Sequence, residues 1–166
     1  MDSLMLLLSD QKIKGYEKDL YYFGRILIRT SRFQSNDRTI TQLKNSGSLR
    51  LIRSEQVADS IMSYQKLVET LFLNHEDERT ERYNTYPIIS HMFNPFVFDK
   101  MVTIDGIKRL DYNPPLRSYD TNLQQDLAFY IHQIKGSTFI IEARLEQLNK
   151  KAINMLTLLK KEYHLE

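Results

Sequence analysis

The chain has 166 residues, with 23 Lys and Arg against 21 Asp and Glu, no Cys, no Trp, five Gly and four Pro. A disulfide scaffold and a Cys-based zinc module are excluded outright, and a net charge of +2 spread over both signs gives no field for gripping nucleic acid. At 42% hydrophobic and 27% charged residues the composition is that of a globular domain with a core, and the scarcity of Gly and Pro favours long helices. No run approaches the roughly 18 apolar residues that cross a bilayer. Leu4–Leu8 is shorter than a signal-peptide core of about 7–15 residues. The terminal Leu165-Glu166 matches the remnant of a cloning site, which would make this a domain cut from a parent with a further membrane-spanning or catalytic segment; a native end is the alternative.

Ile13, Tyr16, Leu20, Phe23 and Leu27 step by three and four, which predicts one helix over 3–33, extended upstream by Leu4, Leu7 and Leu8. Gly15 and Gly24 weaken it and leave room for a close neighbour. Asp37 is the expected N-cap of a short helix over 38–46, stopped at Asn45-Ser46-Gly47, where Gly47 is free to take the left-handed conformation of a C′ residue. Leu49, Leu51 and Ile52 form an apolar connector. Ser54 and Glu55 open the next helix, whose stripe Val57, Ile61, Tyr64, Val68 and Leu71 continues through His75, Glu78 and Arg82 to about 86. Pro87 should end or kink it. Residues 87–120 hold all four prolines and read as irregular, with a small hairpin around Asp105-Gly106. Asp120, Thr121 or Asn122 caps the last helix, which carries Leu123, Leu127, Tyr130, Ile134, Thr138, Ile141, Leu145, Leu148, Ala152, Met155 and Leu159 over roughly 55 Å, with Gly136 expected as a packing contact. The predicted fold is all-α: a single domain, 1–166, formed as an antiparallel bundle of three main helices and one short helix, with an irregular insertion at 87–120.

No nucleophile elbow, phosphate-binding loop, dinucleotide fingerprint or zinc-protease motif is present. His75, Glu78 and Arg82 share a face where core residues are expected. His75 and Glu78 could serve a metal-dependent enzyme, but no second helix carries a matching Glu-x-x-His, so an ion-paired polar layer is the competing reading and no metal or cofactor is assigned. Lys18, Arg25, Arg29 and Arg32 form a basic stripe, with Arg50 and Arg53 nearby, which suits an anionic ligand or is an ordinary charged face given Glu17 and Asp19. Tyr83, Tyr86, Phe93, Phe96, Phe98, Tyr112 and Tyr119 crowd the insertion and its flanks, either as a binding surface or as a cap on the bundle end. An insertion this apolar should fold and leave some rings exposed beside Lys100, Lys108, Arg109 and Arg117. Phe96, Phe98, Arg109 and Tyr112 are therefore the expected partner-binding residues, for a protein or a small anionic ligand. His91, His132 and His164 receive no role.

The segment Thr39-Ile40-Thr41-Gln42-Leu43-Lys44-Asn45-Ser46-Gly47-Ser48-Leu49-Arg50-Leu51-Ile52, followed by Val57, Ile61 and Tyr64, resembles a recurring segment in a family of uncharacterised bacterial membrane proteins. Its pattern is Thr-x-x-x-Leu-x-x-Ser-Gly-x-Leu-x-Leu-Ile and then a helix with a Tyr pair; Gln65 stands here in place of the second Tyr. The resemblance implies a helical extracytoplasmic domain tethered by a single span, without catalytic residues to carry over. The leading expectation is thus a non-enzymatic binding or sensor domain on the extracytoplasmic side. A cytosolic helical scaffold or coiled-coil protein, including a homodimer, is the alternative.

Overall fold

The computed structural model describes residues 1–9, 13–30 and 32–165. The chain is all-α and 72% helical, against about one third in an average globular protein. In order it forms α1 (Asp2–Ser9), α2 (Glu17–Leu27), α3 (Arg38–Asn45), a 3-10 turn (Ser48–Leu51), α4 (Glu55–Asn84), α5 (Tyr86–Met92), α6 (Pro95–Asp99), the hairpin β1 (Val102–Thr103) and β2 (Gly106–Ile107), and α7 (Thr121–Tyr163). Two compact units result, one from Met1–Ser31 with Asp77–Thr138 and the other from Arg32–Glu76 with Phe139–Glu166.

In the first unit, the helix expected over 3–33 is instead two helices, with residues 10–12 and 31 outside the described set. The break follows from Gly15, whose φ of +96° lies in a region open to Gly and costly to other residues. Ile13 is still buried in the core cluster, but from a turn rather than a helix face. Gly24 does admit a close neighbour: an added Cβ would lie 3.1 Å from Phe93 Cζ. Gly136 does not, because nothing lies within 4 Å of where its Cβ would be.

Residues 87–120 are more ordered than their prolines suggest. The long helix ends at Asn84, just before Pro87 as expected, and Pro87 then opens α5 in its first turn, where the missing N–H goes unused. Asn94 caps α6 by accepting from the Phe96 N–H at 3.0 Å, with Pro95 next to it. The hairpin pairs Val102 with Ile107 and Thr103 with Gly106. Residues 108–120 lack helix and strand, yet they are tied down. The Arg117 N–H donates to Met92 O at 2.9 Å, and the Tyr21 hydroxyl donates to Pro115 O at 3.1 Å. Tyr21 is fully buried and packs edge-on against Phe93 and Phe98, with ring centres 5.1 and 5.4 Å apart. These rings join Leu20, Leu27, Met92, Met101, Leu127, Ile131 and Ile134 in one core.

In the second unit, α3 and the left-handed Gly47 (φ +68°) lie where the spacing predicts, although the Asp37 side chain makes no capping bond. Gly47→Val is expected to cost about 1–2 kcal/mol, because a β-branched residue is an outlier at positive φ. An unchanged urea midpoint would contradict that. The core here is small: Val68, Leu71, Ile141 and Leu148, flanked by Tyr64, Leu67 and Leu145. Phe72, Leu73, Phe139, Ile140, Ile153 and Leu156 stay exposed. The expected terminal Leu165-Glu166 falls partly outside the described residues, at Glu166.

Candidate binding groove

In the first unit α5 presents Tyr86, Ile89 and Ser90 at i, i+3 and i+4, on one helical face, and Phe93 follows at its C-terminal end with extended backbone. Pro95 and Phe98 of α6, Ile28 just past α2, and Arg117 complete the lining of an apolar groove of about 340 Å³. That lies at the small end of the range of roughly 300–1,000 Å³ occupied by small-molecule sites. Phe93, Ile89 and Phe98 form a buried floor, and Tyr86, Ser90, Pro95 and Arg117 form an exposed rim. Arg117 Nη1 donates to Ser90 O at 3.0 Å, and the Ser90 hydroxyl to Pro87 O at 2.7 Å. The acceptor that Arg117 meets is an uncharged carbonyl, which holds its guanidinium in place without neutralising it. No carboxylate lines the groove.

The four residues expected to bind a partner do not gather. Phe98 is core, and it reaches the groove only as floor. Arg109 is committed to an ion pair with Asp19, and its guanidinium stacks 4.1 Å from the Tyr22 ring centre and 5.1 Å from that of Phe23. Tyr112 is exposed beside Lys100, whose Nζ lies 5.7 Å from its ring centre. Phe96 is 73% exposed and outside the groove lining. Ile28, Ile89 and Ser90 were missed. Once Pro87 is allowed as a helix opener, the spacing of 86, 89, 90 and 93 is the signal that finds them.

The basic stripe is similarly divided. Arg25 lies 5.6 Å from the Phe98 ring centre, and its buried Nε has no hydrogen-bond partner among the described residues. Arg32 pairs with Glu76 at 3.6 Å. Arg29 is exposed on a cavity of about 400 Å³ with Phe23, Ile26 and Arg82. Tyr83 and Tyr86 meet edge-on at 5.3 Å.

Glu78 is held by Arg82 in a buried ion pair, with Arg82 Nε 2.8 Å from Glu78 Oε1. Arg82 also donates to Leu27 O, at the end of α2. His75 Nε2 is buried without a hydrogen-bond partner among the described residues. Among those residues no three His, Asp or Glu side chains gather as metal ligands.

Glu17 forms the other buried polar centre. Its carboxylate accepts from the Gly15 N–H at 2.8 Å, the Tyr119 hydroxyl at 2.9 Å and the Asn113 amide, and the Asn113 carbonyl takes the Lys18 N–H at 2.8 Å. Burial pushes the Glu17 carboxyl upward, but bonds from its own N–H, Tyr119, Asn113 and Gly15 outweigh that and hold it below 4.5. The Tyr119 hydroxyl is raised above 10.0 by burial and by its bond to Glu17. This centre ties the 108–120 segment to the start of α2.

A second cavity, of about 300 Å³, lies in the other unit. It is lined by the irregular stretch 33–37 with Thr39, Ile40, Leu43, Ile61, Tyr64, Gln65, Val68 and Met155. Its rim of Gln34, Ser35, Asn36 and Asp37 is polar and brings a carboxylate to the cavity, which the α5–α6 groove does not have.

No helix among the described residues is long and apolar enough to cross a membrane. No protein-family model, curated protein or solved structure matches the chain.

Proposed function

We propose that this chain is a non-enzymatic ligand-binding domain whose seat is the groove between α5 and α6. The observation that carries this reading is the lining itself. Six apolar or aromatic side chains converge with one serine and one arginine, the usual make-up of a small-molecule site. No nucleophile–base pair lies among them to support catalysis. The placement of the domain, extracytoplasmic and tethered in a longer parent, rests on the resemblance of Thr39–Ile52, and a sensor role is the natural use of such a seat.

The test uses an uncharged apolar probe, 1-octanol, and a blocked groove. Ser90 is an exposed α5 position on the rim, so Ser90→Phe should fold and fill the space. At tenfold excess over its Kd, octanol should stabilise the wild-type chain by about 1.4 kcal/mol. That is a rise in Tm of roughly 3–6 °C for a chain of this size. The blocked variant should show no rise. Equal rises in both proteins, or none in the wild type, would overturn the assignment.

A further inference from the structure

We infer that the occupant of the groove is a small amphiphilic carboxylate, an apolar body of short acyl-chain size carrying one anionic head. The inference rests on the groove being a ligand seat and goes on to name its ligand class. Three observations lead there.

The first is charge. Arg117 is the sole charged residue in the lining, and its guanidinium is fixed at the rim by a single bond from Nη1 to Ser90 O. The remaining N–H donors of that planar fork are the donors that meet a carboxylate two at a time. The Ser90 carbonyl that it meets supplies no counter-charge.

The second is Arg25. It stands one helical turn before Ile28 and lies against the ring of Phe98, and both of those residues line the groove. Among the described residues its buried Nε has no hydrogen-bond partner and its guanidinium is in none of the ion pairs. Two cations therefore adjoin an apolar space with no carboxylate in its lining. An uncharged ligand would leave that field unused, and a cationic one would oppose it.

The third is size. A bound helix needs anchors over i to i+7, about 10 Å along its axis. A single space of about 340 Å³ takes one compact apolar body. This favours a small molecule over a protein segment.

Calorimetry with a matched series tests the assignment: octanoate, 1-octanol and octylammonium, each below its self-association limit, against wild type, Ser90→Phe, Arg117→Gln and Arg25→Gln. Circular dichroism confirms that each variant is folded. Octanoate is expected to bind wild type at least tenfold tighter than octanol, and octylammonium weaker than either. Arg117→Gln should bring octanoate down to the octanol level while leaving octanol unchanged. Arg25→Gln should weaken octanoate by a smaller factor, since its charge acts from behind the Phe98 ring. Ser90→Phe should remove all binding. Equal affinities for octanoate and octanol in wild type would overturn the anionic head and leave the groove standing. Absence of binding by every probe would overturn both readings. Octanoate binding that survives Ser90→Phe or Arg117→Gln unchanged would place the anion elsewhere and overturn the inference.

Discussion

Arg82→Leu is expected to destabilise the first unit by about 3–5 kcal/mol, the usual cost of leaving one member of a buried ion pair alone. The side chains of Arg82 and Glu78 are 11% and 8% exposed, so water cannot take over the lost interaction. The substitution strands the Glu78 carboxylate on α4 and also removes the donor to Leu27 O that finishes α2. The pair is one helical turn apart, which holds its geometry before any tertiary contact forms. A double variant, Glu78→Leu with Arg82→Leu, should recover most of the loss, because two apolar side chains need no partner. About 1 kcal/mol should persist for the unpaired Leu27 carbonyl. Urea titration followed at 222 nm measures both. A cost below 1 kcal/mol for Arg82→Leu, or a double variant no better than the single one, would show that the pair is not a buried unit.

The second large effect is expected at Glu17. Glu17→Ala removes the acceptor of the Tyr119 hydroxyl, the Asn113 amide and the Gly15 N–H. The expected cost is about 2 kcal/mol, since a stranded buried group costs on the order of 1–3 kcal/mol and only Tyr119 is half-buried, while the exposed Asn113 and Gly15 regain water. The same site predicts a pH dependence. The folded carboxyl is depressed below its usual 4.5. Its stabilisation is therefore fully present above 4.5 and is lost as pH falls through the lower folded value. Tyr119 works in the opposite sense. Its hydroxyl is raised above 10.0, so its contribution is intact below 10 and is lost as pH rises further. Glu17→Gln should flatten the acid limb and also weaken the alkaline limb, leaving there only the share that burial of Tyr119 supplies. Wild type and Glu17→Gln with the same slope below pH 4.5 would argue that Glu17 is not the group responsible.

The long helices were legible in the sequence, because α4 and α7 repeat apolar residues at helical spacing over many turns and one substitution cannot hide the period. The Gly47 stop was equally plain, since a left-handed residue after a polar turn has few other readings. The break at Gly15 was hidden because Ile13 fits the helical stripe of Leu20 and Leu27 while serving the core from a turn. The end of α4 before Pro87 was legible, but the new helix that Pro87 opens was not, because proline is equally at home after a helix and in the first turn of the next. The groove was legible only in part. The insertion and its cationic edge at Arg117 were named, yet the deciding residues Ile89 and Ser90 were not. The burial of Phe98 is not legible in the sequence because α6 has only five residues, too few to show a period. The Glu17 centre had no sequence signal, as Asn113 and Tyr119 lie about a hundred positions away and meet Glu17 only when the chain folds.

The central claim is that ligand enters between α5 and α6. The most direct measurement is an amide NMR titration of the wild-type chain with octanoate. The account predicts that saturating shifts concentrate at Ile28, Tyr86, Ile89, Ser90, Phe93, Phe98 and Arg117, with one shared Kd. Shifts centred instead on residues 33–40, or scattered without saturation, would contradict it.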